Sequence, residues 1–471
     1  MKLFIALACL AIACRDSPRG LPSVNAKATK LEAPITFDAK AIEDWVASEI
    51  TERGTVGAAL VVVRDGKTVI AKGFGTKRLG TVTPIDADTP FAIGSISKQM
   101  TCAAILALAD DGKLALSDPV AKYYPDLTRA ADITLDDLGA HTSGYPDYYP
   151  LDYIDSRMLA PIEPDALIAR YAKVPLDFEP RTKSSYSNTG FVILGRVAER
   201  VSGTSLGQLL ADKFWNRLGM THTTEGRPPT TAAEGHAGFL LGDAEPEPDE
   251  QRRWLFGAGE IYASANDLAR WDLAIADGKL LSQAGQAALV ATHRLADGRT
   301  ITYGCGLGTR QRGADLVYGH TGAVGGFLAY NTVVPRTRTA VILLQGDARD
   351  GLGDVHDKIV SLVLDVPSDI PKILGPEPDV VARELVRQLQ HDELDRTKLG
   401  QDLGGYFERE RIAKAAPRLR ALGEPKIKLT RRSERGGWEV SQLELKFPER
   451  TVEATMFRSP DGKIRQFLLS P

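Results

Sequence analysis

Cysteine is scarce in this chain, with four residues among 471. That supply excludes a disulfide-built scaffold, and no C-x-x-C pair suggests a metal site. An excess of one charge is also lacking. Lys and Arg number 58 against 61 Asp and Glu, a net charge of −3, which argues against general nucleic-acid binding. After the first residues no apolar run approaches the roughly 20 residues of a membrane span. What is present is ordinary globular composition, 43% hydrophobic and 25% charged, which excludes disordered, collagenous and coiled-coil chains. At 471 residues the chain exceeds a single core, so more than one domain is expected.

Residues 1–14 stand apart. Met1-Lys2 leads into an apolar run over residues 3–13, closing on Ala11-Ile12-Ala13-Cys14. The run is too short to span a membrane and reads as a secretory signal. Its end resembles the lipobox of bacterial lipoproteins, with Ala11 where leucine is preferred. The expectation is export to the periplasm or cell envelope, with a lipid anchor at Cys14 as the only membrane link. An ordinary signal peptide with an incidental Cys14 is the other reading. Residues 15–35 are polar and aperiodic and read as a tether. In an exported, lipidated chain Cys102 and Cys305 remain as thiols, and both are expected to be small buried hydrophobes.

Residues 39–50 have helical spacing. Residues 56–63 and 68–74 read as strands, joined by the hairpin signal Asp65-Gly66. Residues 95–292 are mostly helical pattern. Strand character returns at 301–307, 315–318, 327–334 and 339–344, before an amphipathic helix at 353–364. The expected fold is α+β. One antiparallel sheet is formed from both ends of residues 36–365 and flanked by helices, with a helical domain inserted. Residues 366–378 are proline-rich and read as a linker. Residues 379–471 read as a small α+β appendage, with helices at 380–389 and 409–422 and strands at 426–430, 438–445, 451–457 and 463–469. Gly436-Gly437 and Pro460-Asp461-Gly462 mark turns.

Ser95-Ile-Ser-Lys98 is the only S-x-x-K in the chain. It opens a helix running to about Asp110 that is apolar on nearly every side and should be buried. Ser95 and Lys98 then share one face. A lysine out of water has a lowered pKa and can accept a serine proton. By spacing alone, a capping serine followed by a surface lysine explains the string as well. Two further segments matter: Tyr186-Ser187-Asn188 before an apolar helix at 191–201, and His320-Thr321-Gly322 at a glycine-dense strand entry. The order S-x-x-K, Y-x-N, H-T-G resembles the class C β-lactamase and penicillin-binding-protein-like serine hydrolases. Phe91-Ala-Ile-Gly-Ser95, Leu116-Ser-Asp-Pro119, His141-Thr-Ser-Gly144, Ser187-Asn-Thr-Gly190 and Ala265-Asn-Asp-Leu268 extend the resemblance over residues 36–365.

The resemblance implies Ser95 as nucleophile, Lys98 as its base and Tyr186 as the proton shuttle to the leaving group, a phenol made basic by a lysine cation. Asn188 would bind the substrate amide or Lys98. His320, Thr321, Gly322 and Ala323 would bind substrate, with the amides of Ser95 and Ala323 as oxyanion hole. Neither metal nor cofactor is implied. The expected activity is acyl transfer on small ester, amide or D-amino-acid peptide substrates. The alternatives are a true β-lactamase, a D-alanyl-D-alanine carboxypeptidase, or a non-catalytic receptor for penicillin or cell-wall fragments. Two positions depart from the family. His320 replaces a lysine, which weakens the case for substrates carrying a carboxylate. Glu260 stands where relatives carry glycine, either intruding on the site or lying at its rim. Gly203-Thr-Ser205-Leu-Gly207 imitates a nucleophile elbow but follows a helix instead of the required strand. His141 and Ser143 are expected to hold their loop by backbone hydrogen bonds.

Overall fold

The computed structural model describes residues 31, 33–34, 36–149, 154, 156–238, 242–248, 253–312, 315–364, 371, 373–435 and 438–470. The expected signal, Cys14, most of the tether, much of the linker and the Gly436-Gly437 turn lie outside those residues.

A continuous apolar run suits a strand covered on both faces. Strand β1 (Gly57–Arg64) is such a strand. Ala59, Val61 and Val63 face one core, and Ala58, Leu60 and Val62 face another. Asp65 and Gly66 both take positive φ, 51° and 74°, as a two-residue hairpin requires. Strand β2 (Lys67–Gly75) returns antiparallel. The later strands are β3 (Gly308–Arg312), β4 (Asp315–Val324), β5 (Phe327–Val334) and β6 (Thr339–Gln345). The sheet order is β3-β4-β5-β6-β1-β2, antiparallel throughout. Both ends of this region therefore share one sheet, with Ala58 opposite Gln345.

Five helices position the site: α1 (Ala39–Arg53), α2 (Ser97–Asp110), α3 (Asn188–Ser202), α4 (Ala265–Ala276) and α5 (Gly353–Val363). Helix α1 starts at Asp38, whose carboxylate accepts the Ala41 N–H, and ends at Gly54 in the left-handed region. Ile42, Trp45 and Val46 of α1 pack with Val355 and Ile359 of α5 over one sheet face. Helices α2, α3 and α4 fill the other side. Every residue of α2 from Ser97 to Leu108 is buried, as its all-round apolar pattern requires.

Three expectations need correction. Cys102 and Cys305 are not free thiols but form a disulfide that ties α2 to the loop before β3. They are 203 residues apart, so no local spacing announces the pair. Residues 301–307 are not one strand. The strand covers only Thr300–Ile301, and past a single bridge from Tyr303 to Gly308 the chain turns at Gly306 with φ +74°. Strand β3 was not anticipated, because Gly-Thr-Arg-Gln-Arg at a sheet edge shows no apolar run.

Residues beyond 377 build a core of their own. Helices Pro378–His391 and Arg409–Ala421 cover a four-stranded antiparallel sheet of Lys426–Arg435, Trp438–Lys446, Thr451–Arg458 and Ile464–Ser470. Val452, Ala454 and Met456 are buried and alternate with polar residues, as a strand with one covered face should.

Candidate active site

Ser95 lies in a single 3₁₀ turn, Gly94–Ile96, that feeds α2, a tighter start than the expected α-helical turn. Gly94 has φ +50°, and a Cβ there would stand 3.0 Å from the Ala323 amide nitrogen. A Cβ on Gly322 would meet the Ile93 carbonyl oxygen at 2.0 Å and the Ser95 nitrogen at 3.3 Å. Glycine at both positions thus lets β4 lie directly against the serine turn, with the Ser95 and Ala323 amides side by side.

Lys98, the second residue of α2, is fully buried. Its Nζ is 2.7 Å from Asn188 Oδ1, 2.8 Å from the Ala258 carbonyl and 3.0 Å from Ser95 Oγ. Burial pulls the Lys98 pKa down to about 7, with the negative charge of Asp147 opposing the fall. A neutral amine has two N–H donors and one lone pair. Two acceptors, Asn188 Oδ1 and Ala258 O, take the donors, which leaves the lone pair to receive the Ser95 proton.

Tyr186 Oη stands 2.6 Å from the same Ser95 oxygen. The residue is 41% exposed, yet its hydroxyl turns inward onto the serine. Desolvation raises its pKa above the ordinary phenol value, the Ser95 hydrogen bond works against this, and Asp147 adds to it. The phenol is therefore protonated at rest and suited to donate. The Lys98 amine lies 4.7 Å from the Tyr186 ring centroid and 5.3 Å from that of Phe191.

Asn188 is the first residue of α3, where the backbone N–H has no helical partner. Asp147 supplies one: its Oδ1 accepts the Asn188 N–H at 3.0 Å, and its carboxylate also takes the side-chain Nδ2 at 3.1 and 3.2 Å. This carboxylate fixes the amide so that Oδ1 faces Lys98. Sequence reasoning missed Asp147, which lies in an irregular loop far along the chain from Asn188.

His320 sits on β4 opposite Asn331 of β5. Its Nδ1 is 2.5 Å from the Thr321 carbonyl and its Nε2 is 2.8 Å from Tyr303 Oη. Burial, helped by the Lys98 charge, lowers its pKa to about 4, so the ring is neutral across the ordinary pH range. Thr321 and Ala323 are exposed on the strand, and Gly322 is buried against the serine turn.

His141 is buried with φ 60°, and its Nδ1 accepts the Ser187 N–H at 3.1 Å. Ser143 Oγ accepts the Tyr145 N–H at 3.3 Å. Both serve the loop as expected, and the His141 ring also packs on Tyr186, Phe191 and Tyr303. Ser205 caps a short helix by accepting the Gln208 N–H at 3.2 Å. The Glu260 carboxylate accepts the N–H groups of Arg253 and Phe256. Glu260 forms part of the wall of a small pocket lined also by Ala92, Leu255, Tyr262, Val324 and Phe327.

Known proteins resemble this chain in sequence and in fold. The family model described as Beta-lactamase matches residues 42–360. A putative penicillin-binding protein of Bacillus subtilis is 31% identical over 68% of this chain and 78% of its own length. A D-aminopeptidase of Brucella anthropi is 28% identical over 70% of this chain, which spans 64% of that protein. In fold, an octameric penicillin-binding protein homologue from Pyrococcus abyssi is similar over 92% of this chain and all of its own, with TM-score 0.64 at 19% identity.

Proposed function

The chain belongs to the beta-lactamase family of serine hydrolases, and from that premise we propose that it is exported and cleaves small esters, amides or D-amino-acid peptides through an acyl-serine. Ser95 Oγ attacks the substrate carbonyl carbon while its proton passes to the neutral Lys98 amine. The amides of Ser95 and Ala323 hold the negative oxygen that forms. Tyr186 gives its proton to the leaving oxygen or nitrogen, the bond to carbon breaks, and Lys98 returns a proton to Tyr186. Water then attacks the acyl-serine by the same path, the acid departs, and Ser95 is restored.

One observation carries this reading. Lys98 is buried with both donors of its neutral amine taken and its third partner, Ser95, at 3.0 Å. A receptor that only binds has no use for a base placed behind its serine. The neutral His320 favours substrates without a carboxylate on the leaving side, which ranks peptidase or esterase chemistry above β-lactam hydrolysis and D-alanyl-D-alanine trimming. The D-aminopeptidase relative supports D-amino-acid amides as one substrate class. Export is supported by the apolar run at residues 3–13 and by a disulfide, which persists in oxidising compartments. A fluorophosphonate label should attach to Ser95 and be lost in Ser95→Ala while the fold is kept. Labelling at another serine would overturn the assignment.

A further inference from the structure

Tyr303 belongs to none of the motif segments, yet it stands beside two of them. It follows the short strand Thr300–Ile301 and bridges back to Gly308 of β3. Cys305, two residues on, is bonded to Cys102 of α2, so this stretch is anchored to the helix that carries Lys98. The Tyr303 ring lies 4.8 Å from His141 and 5.7 Å from His320, edge-on to the latter. Its hydroxyl is 2.8 Å from His320 Nε2.

The hydrogens of this pair can be assigned by elimination. The Thr321 carbonyl can only accept, so His320 Nδ1 carries the hydrogen that reaches it. In the neutral ring Nε2 then holds a lone pair, and the Tyr303 hydroxyl donates into it. Both ring nitrogens are thereby committed. The imidazole offers a substrate neither an N–H nor a positive charge.

The ring also stands on a definite side of the reaction centre. Tyr186, the donor to the leaving group, is 6.2 Å from His320 between ring centroids. Ala323, whose amide belongs to the oxyanion pair, lies three residues further along β4. His320 therefore faces the leaving group.

We propose that Tyr303 is a positioning residue that sets charge selectivity on the leaving-group side: its hydroxyl locks His320 as the Nδ1–H imidazole and so withholds a cation from leaving-group carboxylates. The selectivity half rests on the acyl-transfer reading above. The titratable and charged groups facing His320 are Lys98 from α2, His141 and Tyr186 from the loops before α3, and Tyr303 itself. Lys98 opposes a charge on His320, and no carboxylate is among these four to invite one. Removing the Tyr303 hydroxyl strips the neutral form of a donor and frees Nε2–H of the charged form for substrate.

The test uses the full chain and two readouts. The first is the imidazole ¹⁵N spectrum of His320, assigned with His320→Gln. Wild type should show the Nδ1–H tautomer, uncharged from about pH 8 to about pH 5. In Tyr303→Phe, which keeps the ring on His141, the His320 midpoint should rise by at least about one pH unit. An unchanged tautomer and midpoint would overturn the proposal whether or not the protein turns over any substrate. The second readout is kcat/KM for a 3-carboxyphenyl ester against its neutral methyl-ester analogue. Their ratio should stay flat with pH in wild type and climb at least about fivefold toward pH 5 in Tyr303→Phe. Adding His320→Gln to that variant should abolish the climb. Parallel curves in wild type and Tyr303→Phe would sink the selectivity role, whereas absence of all ester cleavage would strike the acyl-transfer reading and leave the spectroscopic result standing.

Discussion

Asp147 grips Asn188 twice, once by its backbone N–H and once by its side-chain amide. The amide can then offer only its oxygen to Lys98, at 2.7 Å. The same carboxylate is the charge that opposes the fall of the Lys98 pKa. Replacing Asp147 by Ala should therefore loosen Asn188 and lower the Lys98 pKa further. The expected result is a kcat loss of at least about tenfold, the scale of one charge-assisted hydrogen bond. The acid limb of the rate profile should move to lower pH. An unchanged limb would show that Asp147 does not act on the base.

The Lys98 amine must be unprotonated to receive the serine proton. Below about pH 7 it carries its own proton and is blocked; above, it is free. Hydrolysis of a neutral ester should therefore rise with pH through about 7 in kcat/KM, which reports the free enzyme. A profile flat from about pH 5 to about pH 9 would remove Lys98 from the role of base.

Lys98 and Tyr186 both touch Ser95 Oγ, so they should behave as one unit. Lys98→Ala and Tyr186→Phe are each expected to cost at least about 100-fold in kcat. The double variant should be little worse than the poorer single one, because groups on a shared proton path are not additive. Multiplying losses would point to two independent roles.

Asp272 of α4 is fully buried, and Asn331 Nδ2 donates to its Oδ2 at 2.6 Å. Its Oδ1 has no partner among the described residues. Burial pushes this carboxyl up to about 8, with the Asn331 hydrogen bond pulling the other way. Between about pH 4 and 8 the folded state thus holds a proton that the unfolded chain releases, so stability falls as pH rises through that window. An amide has no proton to lose. Asp272→Asn should raise Tm by at least about 2 °C at pH 7, and the gap should widen from pH 4 to 8. A gap that does not change with pH would mean Asp272 is ionised in the fold.

The core built by residues beyond 377 contributes no side chain to the Ser95 constellation described above. A chain ending after Pro371 should keep its activity on a small reporter ester, measured beside its circular dichroism. Loss of activity with the helical signal intact would show that the appendage helps build the site.

How far the sequence could be read depends on how local each signal is. The β1–β2 hairpin was legible from an apolar run closed by Asp-Gly, and the appendage strands from period-two alternation and a Pro-Asp-Gly turn, all written within a few residues. Ser95, Lys98, Tyr186 and Asn188 were legible as short strings, and the fold brings them together. Asp147, Tyr303 and the Cys102–Cys305 bond were not. Each acts on a partner in a distant segment, and a single aspartate, tyrosine or cysteine in a loop has no pattern of its own. The role of His320 was half legible. Its neutrality follows from residue type, but the hydroxyl that occupies Nε2 comes from another part of the fold.

The pairing of Ala58 with Gln345 has a consequence for the order in which the molecule forms. Strand β1 is synthesised early, and its central neighbour β6 comes only near the end of the same domain. Until β6 emerges, one edge of β1 has no strand partner and the sheet cannot close. Closing such distant contacts is slow, and the exposed segment is adhesive while it waits. The central sheet therefore cannot close until the chain has been made as far as Gln345.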